Sequence, residues 1–280
     1  RSIRYGYVIP KKPDAIIVAL QGVREFTEKY FETAHWALEN NYAFWMMDWA
    51  GQGKSTRFLK NPQKRHSLGF DSDLDDFHYF MTHEITNQND APITMLAHSM
   101  GANIGLRYLP RYPTAFSCAA LSSPMIGIKV FSAIPDYISH AATGFFNEIT
   151  PESYIFGGSD WKNCKGHARL TYDPVRKDIH GRWCAFDPAL KSGDITFGWL
   201  HEAHKSCLAL QSPAIYKNTK TPCFFGIPGH EDLVDNRCAK KIISEMENAK
   251  IIDYPDSAHE ILMERDHIRD DFLYNFGRKP

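Results

Sequence analysis

One serine lies among small residues that could make it a nucleophile. Ser99 is the centre of Ala97-His98-Ser99-Met100-Gly101, directly after the apolar run Ile93 to Leu96 and directly before a predicted helix. A serine hydroxyl is a poor nucleophile unless a base is aimed at it and its oxygen stands clear of the backbone. A sharp strand-to-helix turn presents the oxygen in this way and requires small residues on both sides. The pattern predicts a catalytic Ser99; the alternative is an ordinary serine near a helix N-cap.

A carboxylate and a histidine follow two later predicted strands. Asp232 comes after the apolar run Pro222 to Ile227, and His259 comes after Ile251 to Tyr254. Because the carboxyl ends of parallel strands share one edge of a sheet, we expect both side chains to meet Ser99 there. The order Ser, Asp, His predicts a triad in which His259 is the base and Asp232 orients it. Taken singly, Asp232 could be a turn carboxylate and His259 a surface or capping histidine.

Acyl-transfer chemistry also needs backbone N–H groups that bind the oxyanion. One candidate is the amide of Met100, the residue after the nucleophile. The other is the amide of Val23, in the turn Gln21-Gly22-Val23 that follows the predicted strand Ala15 to Leu20. These two amides complete the predicted site.

The elements that must position these residues alternate between strand and helix. This alternation predicts an α/β fold, with a mostly parallel sheet flanked by helices. Between about Pro124 and Pro213 the alternation breaks, and aromatic residues, Gly, Pro and His become dense. We therefore predict a core of residues 1–124 and 214–280 with an inserted cap, or lid, at 125–213. The predicted strands are Ala15 to Leu20, Ala43 to Met47, Ile93 to Ala97, Ala115 to Leu121, Pro222 to Ile227 and Ile251 to Tyr254.

The motifs and their order resemble the lysophospholipase and monoglyceride lipase branch of the α/β-hydrolase family. Besides the motifs above, the chain has Gln21-Gly22-Val23-Arg24-Glu25 where the branch has H-G-x-x-E. It also has Asp48-Trp49-Ala50-Gly51-Gln52-Gly53-Lys54-Ser55, which matches D-x-x-G-x-G-x-S. Departures from the family pattern are Gln21 for histidine, and Ala97 and Ala102 for glycines.

The resemblance implies a cofactor-free serine hydrolase with an α/β-hydrolase fold and no metal. It would cleave carboxylic esters through an acyl-enzyme, with lysophospholipids or monoacylglycerols as substrates. In the cap, aromatic residues that include Phe197 and Trp199 would offer apolar surface to an acyl chain, although simple packing explains them as well. Two other functions stay open: a peptidase or amide hydrolase on the same triad, and a non-catalytic binding protein on the hydrolase fold.

Composition limits the class of protein further. The 32 basic and 33 acidic residues among 280 nearly cancel, and no basic stripe suggests nucleic-acid binding. No apolar run approaches the roughly 20 residues of a membrane helix, so we expect at most peripheral membrane contact. Six cysteines are too few for a disulfide scaffold in a chain of this length, which favours free thiols and a cytoplasmic location. The chain starts at Arg1, which leaves room for a removed signal peptide. The sequence does not indicate the oligomeric state.

Overall fold

The computed structural model describes residues 1–85, 91–129, 136–162 and 170–277. Its centre is a seven-stranded sheet. The strands are β1 Tyr5–Val8, β2 Ala15–Leu20, β3 Tyr42–Met47, β4 Ile93–His98, β5 Cys118–Ser122, β6 Cys223–Pro228 and β7 Ala249–Tyr254. Their spatial order is β1-β3-β2-β4-β5-β6-β7. All neighbours pair in parallel except β1, which runs antiparallel to β3 at one edge. The predicted mostly parallel sheet is therefore confirmed.

Central strands are apolar on both faces because both faces of the sheet are covered. In β2, Ile16 and Val18 pack into the larger of two core clusters, whereas Ile17 and Ala19 pack into the second. This alternation follows from the two-residue period of a strand. The register Ala19↔Leu96 and Leu20↔Ala97 brings the end of β2 beside the end of β4.

Helices lie on both faces of the sheet. They are α1 Phe31–Glu39, α2 Phe70–Phe80, α3 Met100–Tyr108, α4 Asp136–Ile149, α5 Ile179–Phe186, α6 Phe197–Leu210, α7 Pro213–Tyr216, α8 Asn236–Ile243 and α9 Asp266–Gly277. The larger core cluster contains apolar side chains of α2, α3, α6 and α8, and the second contains those of α1 and α9.

The chain between β5 and β6 contains four of these helices and no strand among its described residues. Its longest, α6, carries Leu200 and Ala203 into the same core cluster as the sheet. The segment that the sequence predicts as a cap is thus packed against the core over part of its length. The division at residues 125 and 213 stays a prediction.

No helix in the described part of the chain is long and apolar enough to cross a membrane.

Candidate active site

Ser99 lies in the sharp turn between β4 and α3, as the sequence predicts. Its backbone has φ +52° and ψ −114°, in the left-handed half of the map that a non-glycine residue rarely adopts. The turn is tight because α3 begins against the end of β2. A Cβ on Gly101 would lie 2.7 Å from the Gln21 carbonyl oxygen and closer still to that of Leu20. The small residue after the turn is therefore needed for this approach.

His259 faces Ser99. Its Nε2 lies 3.0 Å from Ser99 Oγ, within hydrogen-bond distance. Two hydrogen bonds fix the backbone of the loop after β7, which carries this ring. Ser123 Oγ donates to the His259 carbonyl at 2.5 Å, and the Ala258 amide donates to Glu264 at 3.0 Å. Ser99 and His259 are each 5% exposed, so the pair is shielded from bulk water.

The carboxylate beside His259 belongs to Glu231 and not to Asp232, so the predicted acid is corrected. His259 Nδ1 lies 2.6 Å from Glu231 Oε2. Glu231 Oε1 accepts from the amides of Leu233 and Val234 at 2.8 and 3.2 Å, which fixes the carboxylate. Asp232 is exposed to solvent. The loop after β6 turns Glu231 inward and leaves Asp232 facing solvent.

The charges of this pair favour each other. Burial lowers the pKa of His259, but the Glu231 carboxylate, together with the nearby Glu260 and Glu25, offsets burial, and the net shift is upward from the ordinary value. Burial raises the pKa of Glu231, whereas the imidazolium and two backbone amides lower it, and the net shift is downward. At neutral pH, Glu231 is therefore a carboxylate that stabilises positive charge on His259.

A second histidine, His98, packs against this pair. Its ring makes an edge contact with that of His259, with centroids 4.8 Å apart. Burial lowers the pKa of His98 to about 3, so the ring is neutral near pH 7. Its neutral Nδ1 lies 3.3 Å from Ser122 Oγ. His98 thus adds no charge next to His259.

The two predicted oxyanion donors lie in two segments next to Ser99, the start of α3 and the loop after β2. Met100 begins α3, and amides in the first turn of a helix have no acceptor within the helix. Val23 lies in the loop after β2, and the described residues provide no acceptor for its amide. A Cβ on the preceding Gly22 would lie 3.3 Å from Ser99 Cβ, which places this loop next to the nucleophile.

Sequence reasoning missed two residues that hold this loop, Glu25 and Gln52. Glu25 Oε2 accepts from the Gly22 amide at 2.6 Å, and its other oxygen binds Lys29 at 2.6 Å. Gln52 donates to the Gly22 carbonyl at 2.8 Å. Both residues lie in the family motifs quoted above, and this position in a motif is the sequence feature that could have indicated their role. Gln21 replaces the family histidine and donates to Asp48 Oδ1 at 3.2 Å.

The aromatic residues predicted to bind substrate are both buried. Phe197 stacks on Phe146, with ring centroids 4.7 Å apart, and meets Phe156 edge-on at 5.3 Å. Trp199 packs against Phe70 in the larger core cluster. Packing accounts for both residues, and contact with a substrate stays a prediction.

Across the described ranges, no group of three or more His, Cys, Asp or Glu side chains could hold a metal ion.

Comparisons with known proteins agree with this architecture. The model of the family described as serine aminopeptidase, S33, matches residues 11–266. The probable lysophospholipase L2 of Haemophilus influenzae is 27% identical over 278 residues, which cover 98% of this chain and 87% of that protein. Lysophospholipase L2 of Escherichia coli K12 is 28% identical over 273 residues, covering 91% of this chain and 77% of that protein.

Solved structures share the fold. A monoglyceride lipase from Saccharomyces cerevisiae superposes with a TM-score of 0.74 at 18% identity, covering 98% of this chain and 90% of that one. The expected α/β-hydrolase fold is confirmed. With the family model matching most of the chain, this protein belongs to the α/β-hydrolase family described as serine aminopeptidase, S33, and is a serine hydrolase.

Proposed function

We propose that Ser99, His259 and Glu231 are the catalytic triad with which this enzyme cleaves carboxylic esters. The observation that carries the proposal is the continuous hydrogen-bonded chain from Ser99 Oγ to His259 Nε2, and from His259 Nδ1 to Glu231 Oε2. This is the arrangement that activates a serine hydroxyl.

The geometry supports a two-step reaction. His259 Nε2 takes the hydroxyl proton as Ser99 Oγ attacks the ester carbonyl, and the Met100 and Val23 amides bind the resulting oxyanion. His259 then gives the proton to the departing alcohol, and an acyl-enzyme remains. Water, activated by the same imidazole, releases the carboxylic acid. Glu231 holds the ring and stabilises its charge in both steps.

The relatives support a lipid ester as substrate, of the lysophospholipid or monoacylglycerol type. Two curated relatives are named lysophospholipase L2, and a structural neighbour is named a monoglyceride lipase. In the segment 125–213, which we propose to be the cap, Phe146, Phe156 and Phe197 form an aromatic cluster. Such a cluster suits the acyl chain of a small-molecule ester. Any contact with a membrane would be peripheral.

A peptidase or amide hydrolase is the second candidate, because the matching family is described as a serine aminopeptidase. The same triad can attack an amide carbonyl. A peptidase of this kind would also need a pocket that holds the substrate amine. Comparing kcat/KM on monoacylglycerol and lysophospholipid esters of graded chain length with kcat/KM on aminoacyl amides separates the two functions. Higher values on the amides would reject the ester proposal.

The substitution Ser99→Ala tests the triad. We expect a folded protein whose esterase activity falls by about 10⁴-fold or more, because the nucleophile is gone. Labelling by a fluorophosphonate probe should be lost as well. Ser117→Ala, at an exposed serine before β5, is the matched control and should keep both properties. Normal turnover in folded Ser99→Ala protein would reject the mechanism.

A further inference from the structure

Gln52 lies in the loop after β3, is fully buried, and uses every hydrogen-bonding position of its side-chain amide. Nε2 donates to the carbonyls of Gly22 and Glu25, both at 2.8 Å. Oε1 accepts from the Arg24 amide at 3.0 Å and from Arg65 Nε at 2.9 Å. A primary amide has two donors and two acceptor lone pairs, so the side chain is saturated.

Three of these four bonds go to the backbone of one short loop. They reach Gly22, Arg24 and Glu25, which lie on both sides of Val23 in the sequence. Arg24 has φ +67°, a conformation that costs a non-glycine residue free energy unless its surroundings hold it. The Gln52 side chain supplies such a hold at the residue directly after the proposed oxyanion donor.

The fourth bond connects this loop to the other oxyanion donor. Arg65, whose Nε binds Gln52, is fully buried, and its Nη2 lies 3.7 Å from Met100 Sδ. Burial lowers the pKa of Arg65 to about 10. In the described part of the chain, its guanidinium forms no ion pair within 4 Å, and it donates to Gln52, the His66 carbonyl and Met100 Sδ. One side chain thus links the Val23 loop to a group packed on Met100.

We infer that Gln52 is a positioning residue that sets the two amides of the oxyanion hole relative to each other, an inference that rests on the proposed function. It does not touch the substrate. It holds the Val23 amide where charge develops in the transition state. Preorganised donors contribute most when they need no rearrangement at that moment. Loss of Gln52 should therefore weaken transition-state binding more than ground-state binding.

Gln52→Glu is the sharpest variant. It keeps the shape and both acceptor contacts, and it gives the buried Arg65 a carboxylate partner, so the protein should fold. The two donors to Gly22 and Glu25 are replaced by an oxygen that repels those carbonyls. We expect kcat to fall about 10- to 100-fold, somewhat less than the ~10²–10³-fold loss on removal of an oxyanion donor. KM should stay within about twofold of wild type, as for an interaction made only in the transition state.

A purely structural role of Gln52 would leave the affinity for a mimic of the tetrahedral intermediate unchanged, so this affinity is the second readout. An alkyl boronic acid adds to Ser99 Oγ and places an oxygen in the oxyanion hole. Its inhibition constant should rise in Gln52→Glu by about the same factor as kcat/KM falls. Gln63→Glu is the matched control, because Gln63 uses its Oε1 to accept from the Trp161 amide, outside this loop. It should keep wild-type kinetics and boronate affinity.

Gln52→Met removes all four bonds and should show the same loss of kcat and boronate affinity. Folded Gln52 variants with unchanged kcat and unchanged boronate affinity would overturn the inference. Failure of both variants to fold would also count against it, because Gln52 would then serve folding itself. Ser99→Ala distinguishes failure of this inference from failure of the proposed function. If Ser99→Ala abolishes activity while the Gln52 variants have normal activity, the triad is supported and only the role of Gln52 is rejected.

Discussion

Glu231 uses its two carboxylate oxygens for different tasks. Oε1 binds the amides of Leu233 and Val234 and so closes a turn, while Oε2 binds His259. Because this turn fixes the carboxylate before substrate binds, less conformational entropy is lost when the imidazole is oriented. At the scale of one residue, the acid is therefore both a structural and a catalytic group in our proposal.

The paired substitutions Glu231→Gln and Asp232→Asn test this assignment. Gln keeps the side-chain size but removes the charge that stabilises the imidazolium, so we expect kcat to fall by about 10³- to 10⁴-fold, as with other triad acids. Asp232 is exposed, and its variant should keep wild-type kcat within about twofold. Steady-state kinetics on a short-chain ester measure both. The reverse pattern would return the role to Asp232.

The pH dependence of activity follows from the raised pKa of His259. Only the neutral imidazole can accept the Ser99 proton, so activity is low below its pKa and rises as pH passes through it. Because the Glu231 carboxylate raises that pKa above the ordinary value near 6.5, kcat/KM should reach half of its plateau above about pH 6.5 and then level off. The pH–rate profile of residual activity in Glu231→Gln should shift to lower pH. An unshifted midpoint would show that Glu231 does not control the base.

The contact between Ser99 and His259 could be predicted from sequence, whereas the carboxylate that contacts His259 could not. Ser99 and His259 each lie in a short motif that directly follows a predicted strand, so their place at the edge of the sheet can be predicted. Glu231 and Asp232 are adjacent carboxylates in the same loop, and only the direction of the backbone decides which one faces inward. That direction depends on the turn that the Leu233 and Val234 amides close, which residue types alone do not specify.

At the scale of elements, the site depends on how closely α3 approaches β2. The start of α3 rests on the last residues of β2, and Gly101 is the point of contact. This approach brings the Met100 amide and the loop after β2 close to Ser99. In our proposal, the spacing of the two elements therefore determines how the two amides are placed for binding the oxyanion.

Gly101→Ala should disturb this spacing. The added methyl would meet the carbonyl oxygens of Leu20 and Gln21, and backbone cannot move aside as a flexible side chain can. We expect a loss of about 1–3 kcal/mol in the free energy of unfolding, typical of overpacking, and a clear loss of kcat. Gly144→Ala in α4 is the control: nothing lies within 4 Å of its added Cβ, so stability should hold or rise. Equal stability and activity in the two variants would contradict the close-approach argument.

Most elements are predictable from sequence, because buried parallel strands are continuous apolar runs. The strand Ala15–Leu20 is confirmed at its predicted bounds, and the other predicted strands differ by one to three residues at an end. The edge strand β1 was missed. It has four residues, includes Gly6, and is partly exposed, so it carries neither an apolar run nor a strong alternating pattern.

At the scale of the whole molecule, the segment between β5 and β6 shares the core of the sheet. Leu200 of α6 is fully buried in the same cluster as Leu121 of β5. Ion pairs add to this connection: Arg176, before α5, binds Glu32 of α1 and Asp266 of α9. The cap that we propose should therefore unfold together with the core, although it is a separate part of the sequence.

Leu200→Ala and Leu121→Ala test whether core and cap form one cooperative unit. Each substitution leaves a cavity in the shared cluster and should lower the free energy of unfolding by about 2–5 kcal/mol. For a protein near this size, each kcal/mol lowers Tm by about 2–4 °C. In calorimetry we expect one transition in the wild type, and both variants should move that same transition downward. An independently folded cap would instead give two transitions, with Leu200→Ala moving one and Leu121→Ala the other. Two such transitions would show that residues 125–213 unfold as a domain separate from the core, because a cavity in one part would then leave the stability of the other part unchanged.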